Sequence, residues 1–593
     1  MPTLNWIGKD AVVHHHEEVP FHLLRCDDAL SVGEPGSGNL LVQGDNLTAL
    51  KALLPYYAGK VKCIYIDPPY NTGNEGWSYN DNVNSPEMRA WLGAVVGKEA
   101  EDLSRHDKWL SMMYPRLTLL RDLLSEDGSI WMSIDDNEIQ HVRAIADEIF
   151  GSSNFIATVI WQMMDSPKNT AIHLSTDHEY ILLYAKNASV WRPKKLPRTD
   201  AMLARYKNPD NDARGPWLLS DLAARNFYSE GRYAIQTQSG RVIEGPPAGS
   251  YWRVSRERFD ELDADNRIWW GTSGDNRPGM KRFLSEVQDG VVPRTLWLWQ
   301  EAGSTRHSKQ ELSAIMTASA SEDLFVTPKP SSLIQRILQI ATGPDDLVLD
   351  SFAGTGTTGH AVLAQNESDG GSRRFILVEM EESVAVPVTR QRVQRVMEGY
   401  PYTGNERTAL YREKLTVTNV RKSKELFDEI ERIKKENRDA YDKFENRIEN
   451  EHLALYGVKR IDGFKPGLGG GFRYCRLGPT LFDADGQIRP DVSYEELARH
   501  VFFSETGEPL TGTPAQPPLV GLHKGSGIYL LFNGVLGDER PDGGNLLTRQ
   551  VLAQLPAHHG PKVIYAEGCT LSADYLARHQ ISFRQTPYQI RVR

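Results

Sequence analysis

The sequence predicts an α/β fold on a largely parallel sheet, interrupted midway by an irregular insert. Three observations predict it. Short Val-, Ile- and Leu-rich runs alternate with segments of helical apolar spacing from Asn39 to Asn187, the rhythm of strand–helix–strand units. That rhythm is lost over 188–322, where Pro, Gly, Arg and Trp accumulate, and returns at Lys329. On its return, a glycine-rich turn joins an apolar strand to a helix, as in nucleotide-binding sheets.

Each element follows from its residues. NLLVQGDN reads as a short strand ending at Gly44-Asp45-Asn46. TALKALLPYY spaces Leu47, Leu50, Leu53 and Leu54 as a helix that stops near Pro55. VKCIYIDPPY is a buried strand halted by Pro68-Pro69. WLSMMYPRLTLLRDLLSEDG puts Leu110, Met113, Leu117, Leu120 and Leu124 on one helical face, closed by Gly128. SIWMSID and HEYILLYAK read as strands. The insert carries Trp252, Trp269, Trp270, Trp297 and Trp299; core positions suit these better than wedges between bases. After it, LIQRILQIAT is an amphipathic helix, DLVLD a buried strand, GTGTTGHAVLAQN a turn and helix, and RFILVEME a strand. From Arg421 to Tyr456, Leu426, Ile430, Ile433, Tyr441, Phe444 and Ile448 recur at near-heptad spacing without Pro or Gly, which predicts a charged surface helix. KPGLGGG (465–471) reads as a hinge before a last small α/β region with strands GIYLLFN and PKVIYAEG. The expected divisions are 1–187, the insert 188–322, 323–415, a helical connector 416–457 and a C-terminal region 458–593.

Composition narrows the function. The chain has 593 residues, 40% hydrophobic and 25% charged, the proportions of folded globular domains. No apolar run reaches the ~18 residues of a membrane span, and the N-terminus lacks the pattern of a secretory signal. Four cysteines, Cys26, Cys63, Cys475 and Cys569, lie far apart without a C-x-x-C pair, so neither a disulfide framework nor a cysteine zinc site is expected, and a reducing cytoplasm is the simplest home. Net charge is −10, yet residues 191–310 carry +5 and the remainder −15. A basic insert in an acidic chain suits a phosphate-facing surface. Arg277, Lys281 and Arg282 are its candidate contacts.

Two motifs carry chemistry. Asp350-Ser-Phe-Ala-Gly-Thr-Gly-Thr-Thr-Gly359 follows a strand and opens a helix, and Glu379 ends the next strand. Gly354, Gly356 and Gly359 allow a tight turn and close approach of a ligand, and Glu379 can take ribose hydroxyls. This fits a nicotinamide, flavin or S-adenosylmethionine protein. Asp67-Pro68-Pro69-Tyr70 ends an earlier strand, and a dehydrogenase has no use for it. An exocyclic amine is a poor nucleophile because its lone pair is delocalised into the ring. It needs acceptors for its two N–H groups, which the Asp67 carboxylate and the Pro68 carbonyl can be. Pro68 and Pro69 stiffen the turn and bring no N–H, and Tyr70 offers a flat face for a base.

With these motifs the chain resembles the DNA amino-methyltransferases, DPPY being their catalytic motif and SFAGTG their methyl-donor motif. The first precedes the second by roughly 285 residues, the order of the β class. NLLVQGDNLTAL, YIDPPYNTGNEGWSYND and TPKPSSLIQRIL further resemble the modification (Mod) subunits of type III restriction systems. The resemblance covers 1–415 and implies a Rossmann-like S-adenosylmethionine-dependent methyltransferase sheet of circularly permuted motif order, with the insert as target-recognition domain. It implies that Asp67, Pro68, Pro69 and Tyr70 are catalytic. Asp45, Lys329, Asp350, Phe352, Gly354, Gly356, Thr357 and Glu379 would form the S-adenosylmethionine site. It further implies methylation of N6 of an adenine turned out of duplex DNA, no metal, no membrane, and a separate restriction subunit with helicase and nuclease parts, since the chain has no G-x-x-x-x-G-K-[ST] loop of its own. A homodimer is compatible with the 421–456 segment and the C-terminal region. The competing readings are N4-cytosine methylation, an RNA or protein methyltransferase, a nicotinamide oxidoreductase, and a DNA-binding subunit without activity.

Overall fold

The computed structural model describes residues 3–33, 38–72, 105–168, 170–316, 327–416, 423–449, 451–514, 516–533, 536 and 545–590. Residues 73–81 of the resemblance, 317–322 at the expected end of the insert and 421–422 of the expected helix lie outside them. The chain divides into two units, one of 1–192 with 294–593 and the other Pro193–Pro293.

The first unit contains a ten-stranded sheet built from buried aliphatic runs. In chain order its first half comprises β1 (His22–Val32), β2 (Leu40–Gln43), α1 (Asn46–Tyr57), β3 (Val61–Ile66), α2 (Arg105–Leu123), β4 (Leu124–Ile134), α3 (Ile139–Ala146), β5 (Phe155–Gln162) and β6 (His178–Ala185). After the second unit come β7 (Leu296–Trp297), α4 (Thr305–Met316), α5 (Ser331–Ala341), β8 (Leu347–Asp350), α6 (Thr357–Asp369), β9 (Arg374–Glu379) and α7 (Gln391–Glu398). There follow β10 (Gly399–Lys414), α8 (Ser423–Glu436), β11 (Lys443–Glu449), β12 (His452–Pro466) and β13 (Phe472–Thr480). The sheet order is β1-β13-β2-β9-β8-β3-β4-β6-β5-β7. From β13 through β4 all neighbours are parallel; β6 runs antiparallel to β4 and to β5. Val42, Ile64, Ile66, Leu349, Ile376 and Val378 from the central strands join Leu50, Leu53 and Leu117 of α1 and α2 in one core.

Five expectations need correction. α1 continues through Pro55 to Tyr57. α2 stops at Leu123, and Leu124 already pairs with Val61 in β4, so Gly128 is a strand residue; a Cβ there would meet the Val61 carbonyl at 2.9 Å. The connector is not one helix. Only Ser423–Glu436 is helical, and Phe444 and Ile448 lie in β11, which with β10 and β12 forms an antiparallel three-stranded sheet. Spacing at 444 and 448 serves a helix or a strand, and the pairing of β12 with β11 decides it. KPGLGGG is no hinge: Gly467 passes so close to the Met397 carbonyl that a Cβ would lie 2.1 Å from it, and the chain then returns to the main sheet as β13. That return sets Cys475 directly opposite Cys26 on β1, and the two form a disulfide across 449 residues. Spacing along the chain could not show this pair, because antiparallel register creates it.

The C-terminal segment forms α9 (Tyr494–Thr506) and a four-stranded sheet of β14 (Leu519–His523), β15 (Ser526–Leu530), β16 (Lys562–Ala566) and β17 (Ile581–Gln585). Ser493 and Glu496 close a capping box at the start of α9.

The second unit holds a three-stranded sheet of Ile268–Trp269, Gly279–Phe283 and Trp217–Asp221, with a helix over Arg256–Ala264. Trp252, Phe259, Leu262, Ile268 and Trp270 form its core. Lys281 does not face outward. It is 2% exposed, with its ammonium between Asp210 and Asp212, whereas Arg277 and Arg282 are exposed.

Candidate active site

Because β2, β9, β8, β3 and β4 are parallel, their C-terminal ends line one edge of the sheet. β8 pairs with β3, Val348 beside Cys63 and Leu349 beside Ile64. From β3 the chain proceeds to β4 on one side, and from β8 to β9 on the other. The crevice between them is therefore the point where strand order reverses, where open α/β sheets bind ligands. Asp67–Tyr70 leaves β3 there, and Ser351–Gly356 leaves β8.

The glycine loop is shaped from beneath. Gly356 has φ +75°, and a Cβ on it would lie 3.1 Å from both the Thr389 carbonyl and Val393. The Gly354 N–H donates to Glu379 at 2.8 Å, and Glu379, 1% exposed, also accepts from the Glu381 N–H at 3.0 Å. Asp350 accepts from the Phe352 N–H at 3.0 Å and from the Thr358 hydroxyl. Burial pushes the Asp350 carboxyl up to about 7, although these two donors oppose the shift. Thr357 donates to the Lys329 carbonyl at 3.2 Å, and the buried Arg392 donates to Thr355 and Thr357 at 2.8 Å each and to Glu311 at 3.0 Å.

The proline turn is held just as firmly. Trp109 of α2, fully buried, donates from Nε1 to the Pro69 carbonyl at 2.6 Å. Asn71, at φ +55°, donates to Glu138 and to the Arg105 carbonyl. His106 and His141 each place Nδ1 2.7 Å from one oxygen of Glu138. Among the described residues these three side chains are the cluster close enough to hold a cation, their ligand atoms lying within 4.8 Å of one another. The sequence offered no such site. In this structure Glu138 is already satisfied by its hydrogen bonds, and it pins Asn71 directly behind the tetrapeptide.

The reactive end is an ionic cluster. Lys329 Nζ donates to Asp67 Oδ1 and Oδ2 at 2.8 and 2.9 Å and to the Tyr70 hydroxyl at 2.8 Å; Glu179 lies 3.4 Å from it. The Tyr70 hydroxyl donates to Glu179 at 3.0 Å. Burial opposes the Lys329 charge, but Asp67 and Glu179 outweigh it and hold the ammonium above its usual range. Burial raises the Glu179 carboxyl, against the pull of Lys329.

One cleft is lined by Tyr65, Asp67, Pro328, Lys329, Asp350, Phe352, Gly354 and Thr357. It brings together Asp67 and five of the residues expected at the donor site. Others sit behind it: Gly356 makes the turn and Glu379 carries the loop. Asp45 caps α1 through the Thr48 N–H and hydroxyl, both at 2.9 Å, and pairs with the buried Arg116 at 3.0 Å. Sequence reasoning missed Glu179, Trp109, Arg392 and Glu138. The strand HEYILLYAK is legible, but its direction is not: being antiparallel, β6 presents its first residues, not its last, at the active edge.

The family model described as DNA methylase (N6_N4_Mtase) matches residues 61–386, from β3 to just past β9. The chain belongs to this DNA methylase family. Among curated relatives, it is 36% identical over 366 residues to the type III restriction-modification enzyme StyLTI Mod subunit of Salmonella typhimurium, covering 59% of this chain and 53% of that one. It is 33% identical over 419 residues to the EcoPI Mod subunit of Escherichia phage P1, covering 64% of each. It is 58% identical over 306 residues to the type II methyltransferase M1.MboII of Moraxella bovis, covering 51% of this chain and 80% of that one. The chain thus spans 53% to 64% of the length of the two Mod subunits.

Proposed function

We propose that this methylase transfers a methyl group from S-adenosylmethionine to N6 of an adenine extruded from duplex DNA, as the modification component of a type III restriction-modification system. One observation carries the reading: the Asp67 turn and the glycine loop share one cleft at the reversal point of the sheet.

The residues fit the donor. The loop at Gly354 admits close backbone approach, Phe352 offers an apolar face, and the Glu379 carboxylate, which takes the Gly354 N–H, is the acceptor we assign to hydroxyls. Bound there, S-adenosylmethionine supplies a methyl group already activated by its sulfonium charge. The chain's own work is positioning and electrostatics. Asp67 accepts one N6–H and the Pro68 carbonyl the other, which draws the nitrogen lone pair out of conjugation with the ring. Asp67 also receives the proton that N6 sheds once methylated. The Tyr70 ring, fixed through its hydroxyl by Glu179 and Lys329, stacks on the base.

Aspartate at the first position of the tetrapeptide favours adenine over cytosine, and the relatives named as type III Mod subunits support the type III setting. A solitary type II role is the second reading, favoured by the 58% identity to M1.MboII over most of that protein. A homodimer remains a separate proposal, checked by light scattering over a range of concentrations. The test of function is incubation with labelled donor and unmethylated bacterial DNA, followed by hydrolysis to nucleosides. N6-methyldeoxyadenosine is expected; label only in N4-methyldeoxycytidine, or only in RNA or protein offered in parallel, contradicts the reading.

A further inference from the structure

We infer that Glu179 is a positioning residue for methyl transfer: it supplies the second negative charge that keeps the Asp67 pocket anionic while Lys329 occupies it. The inference rests on the function just proposed.

Lys329 touches both oxygens of Asp67, at 2.8 and 2.9 Å. An aspartate neutralised in this way is a poor partner for an amine that becomes positively charged as it is methylated, because the ammonium repels the new charge. With Asp67 and Lys329 alone the pocket would carry no net charge. Glu179, 3.4 Å from Lys329 and 14% exposed at its side chain, makes it −1. Glu179 is also where Lys329 can go. When the target N–H competes for Asp67, the ammonium can shift toward Glu179, the neighbouring carboxylate already within 4 Å of it. The same carboxylate accepts from the Tyr70 hydroxyl at 3.0 Å, which fixes the ring across the pocket. Lys329 Nζ stands 4.8 Å from the centre of that ring.

The fold explains how a residue 112 positions from Asp67 arrives there. β6 is antiparallel to β4, with Tyr180 opposite Ile134 at the end of β4, so the start of β6 lies along the edge from which Asp67 emerges. The groups facing Glu179 are Lys329, Asp67 and Tyr70, with Tyr65 and Asp350 further along the cleft.

The experiment uses the full chain, S-adenosylmethionine and unmethylated bacterial DNA, with kcat and KM measured for wild type, E179Q, E179D, K329Q and E179Q/K329Q. Donor binding by calorimetry and thermal melting are followed on the same preparations. Removing one charge ~6 Å from the reacting amine at an effective dielectric of ~20 corresponds to roughly a 100-fold loss of rate. E179Q is expected to lose about that much in kcat, with KM for donor and DNA changed less than ~3-fold, because the loss falls on the charge-developing step. E179D, which keeps the charge, should retain at least ~10-fold more activity than E179Q. The double variant should exceed E179Q by ~10-fold, because removing the ammonium restores a pocket of −1, which a merely structural role would not do. E179Q within ~3-fold of wild type, or a double variant no faster than E179Q, overturns the inference. If E179Q does not fold, E179D and E179N, which share a length and differ in charge, decide: E179D at least ~10-fold faster than E179N supports the inference, and equal rates overturn it. Wild type inactive on DNA would instead refute the proposed function, leaving the two failures distinct.

Discussion

Asp350 and Asp67 end adjacent parallel strands, and their neighbours give them different work. Asp67 faces a lysine. Asp350 is buried beneath the glycine loop, bonded to Phe352 and Thr358, and burial raises it from 3.8 to about 7. Between those pH values the native state holds a proton that the unfolded chain has released, so this residue's contribution to stability is full below about pH 4 and is lost as pH rises through 7. In Asp350→Asn that component should vanish. Melting temperatures across pH 4–8 should fall less steeply for the variant than for wild type, and parallel curves would refute the assignment. Trp109 gives a second residue-level expectation. Trp109→Phe keeps most of the ring volume but strands the Pro69 carbonyl, which should cost ~1–3 kcal/mol in a denaturant titration. It should also lower kcat by ~10-fold through a loosened tetrapeptide.

At the scale of elements, the turns at strand ends do most of the positioning. Gly356→Ala forces a side chain into the left-handed region against Thr389 and Val393. It should destabilise by ~1–3 kcal/mol and weaken donor binding, read by melting and calorimetry together. The elements most legible in the sequence are those whose apolar run is buried on both faces, such as VKCIYI and DLVLD, and the helix LIQRILQIA, whose apolar stripe fixes its period. Those that were not legible depend on distant partners. Phe444 and Ile448 became strand residues because β12 pairs with β11, and Cys26 met Cys475 because β13 re-enters the sheet beside β1. Glu179 shows the same lesson inside the site: its strand could be read from HEYILLYA, but its place at the active edge follows from antiparallel pairing, which no local pattern encodes.

At the scale of the whole molecule, the methylase elements form one sheet interrupted by a second unit with its own core of Trp252, Phe259 and Trp270. Much of that unit's basic charge is spent internally, as in Arg214 with Asp212, Arg267 with Glu286, and Lys281 with Asp210. Each such pair is neutral in itself, so the net positive charge counted over 191–310 lies on cations outside these pairs. On the proposed function, Arg277→Ala and Arg282→Ala should each weaken DNA binding and reduce the salt slope of log K by ~1. Lys281→Ala instead should destabilise the unit by ~1–3 kcal/mol, because Asp210 loses its cation while Asp212 keeps Arg214. Filter binding at several salt concentrations and unfolding curves separate the two classes. The account as a whole depends on the Asp67 turn and the glycine loop acting as one machine, and Asp67→Ala tests this most directly in a single-turnover transfer of labelled methyl to DNA, with donor affinity measured on the same sample. The expected result is donor binding close to wild type with transfer reduced at least ~100-fold; transfer at the wild-type rate would contradict it.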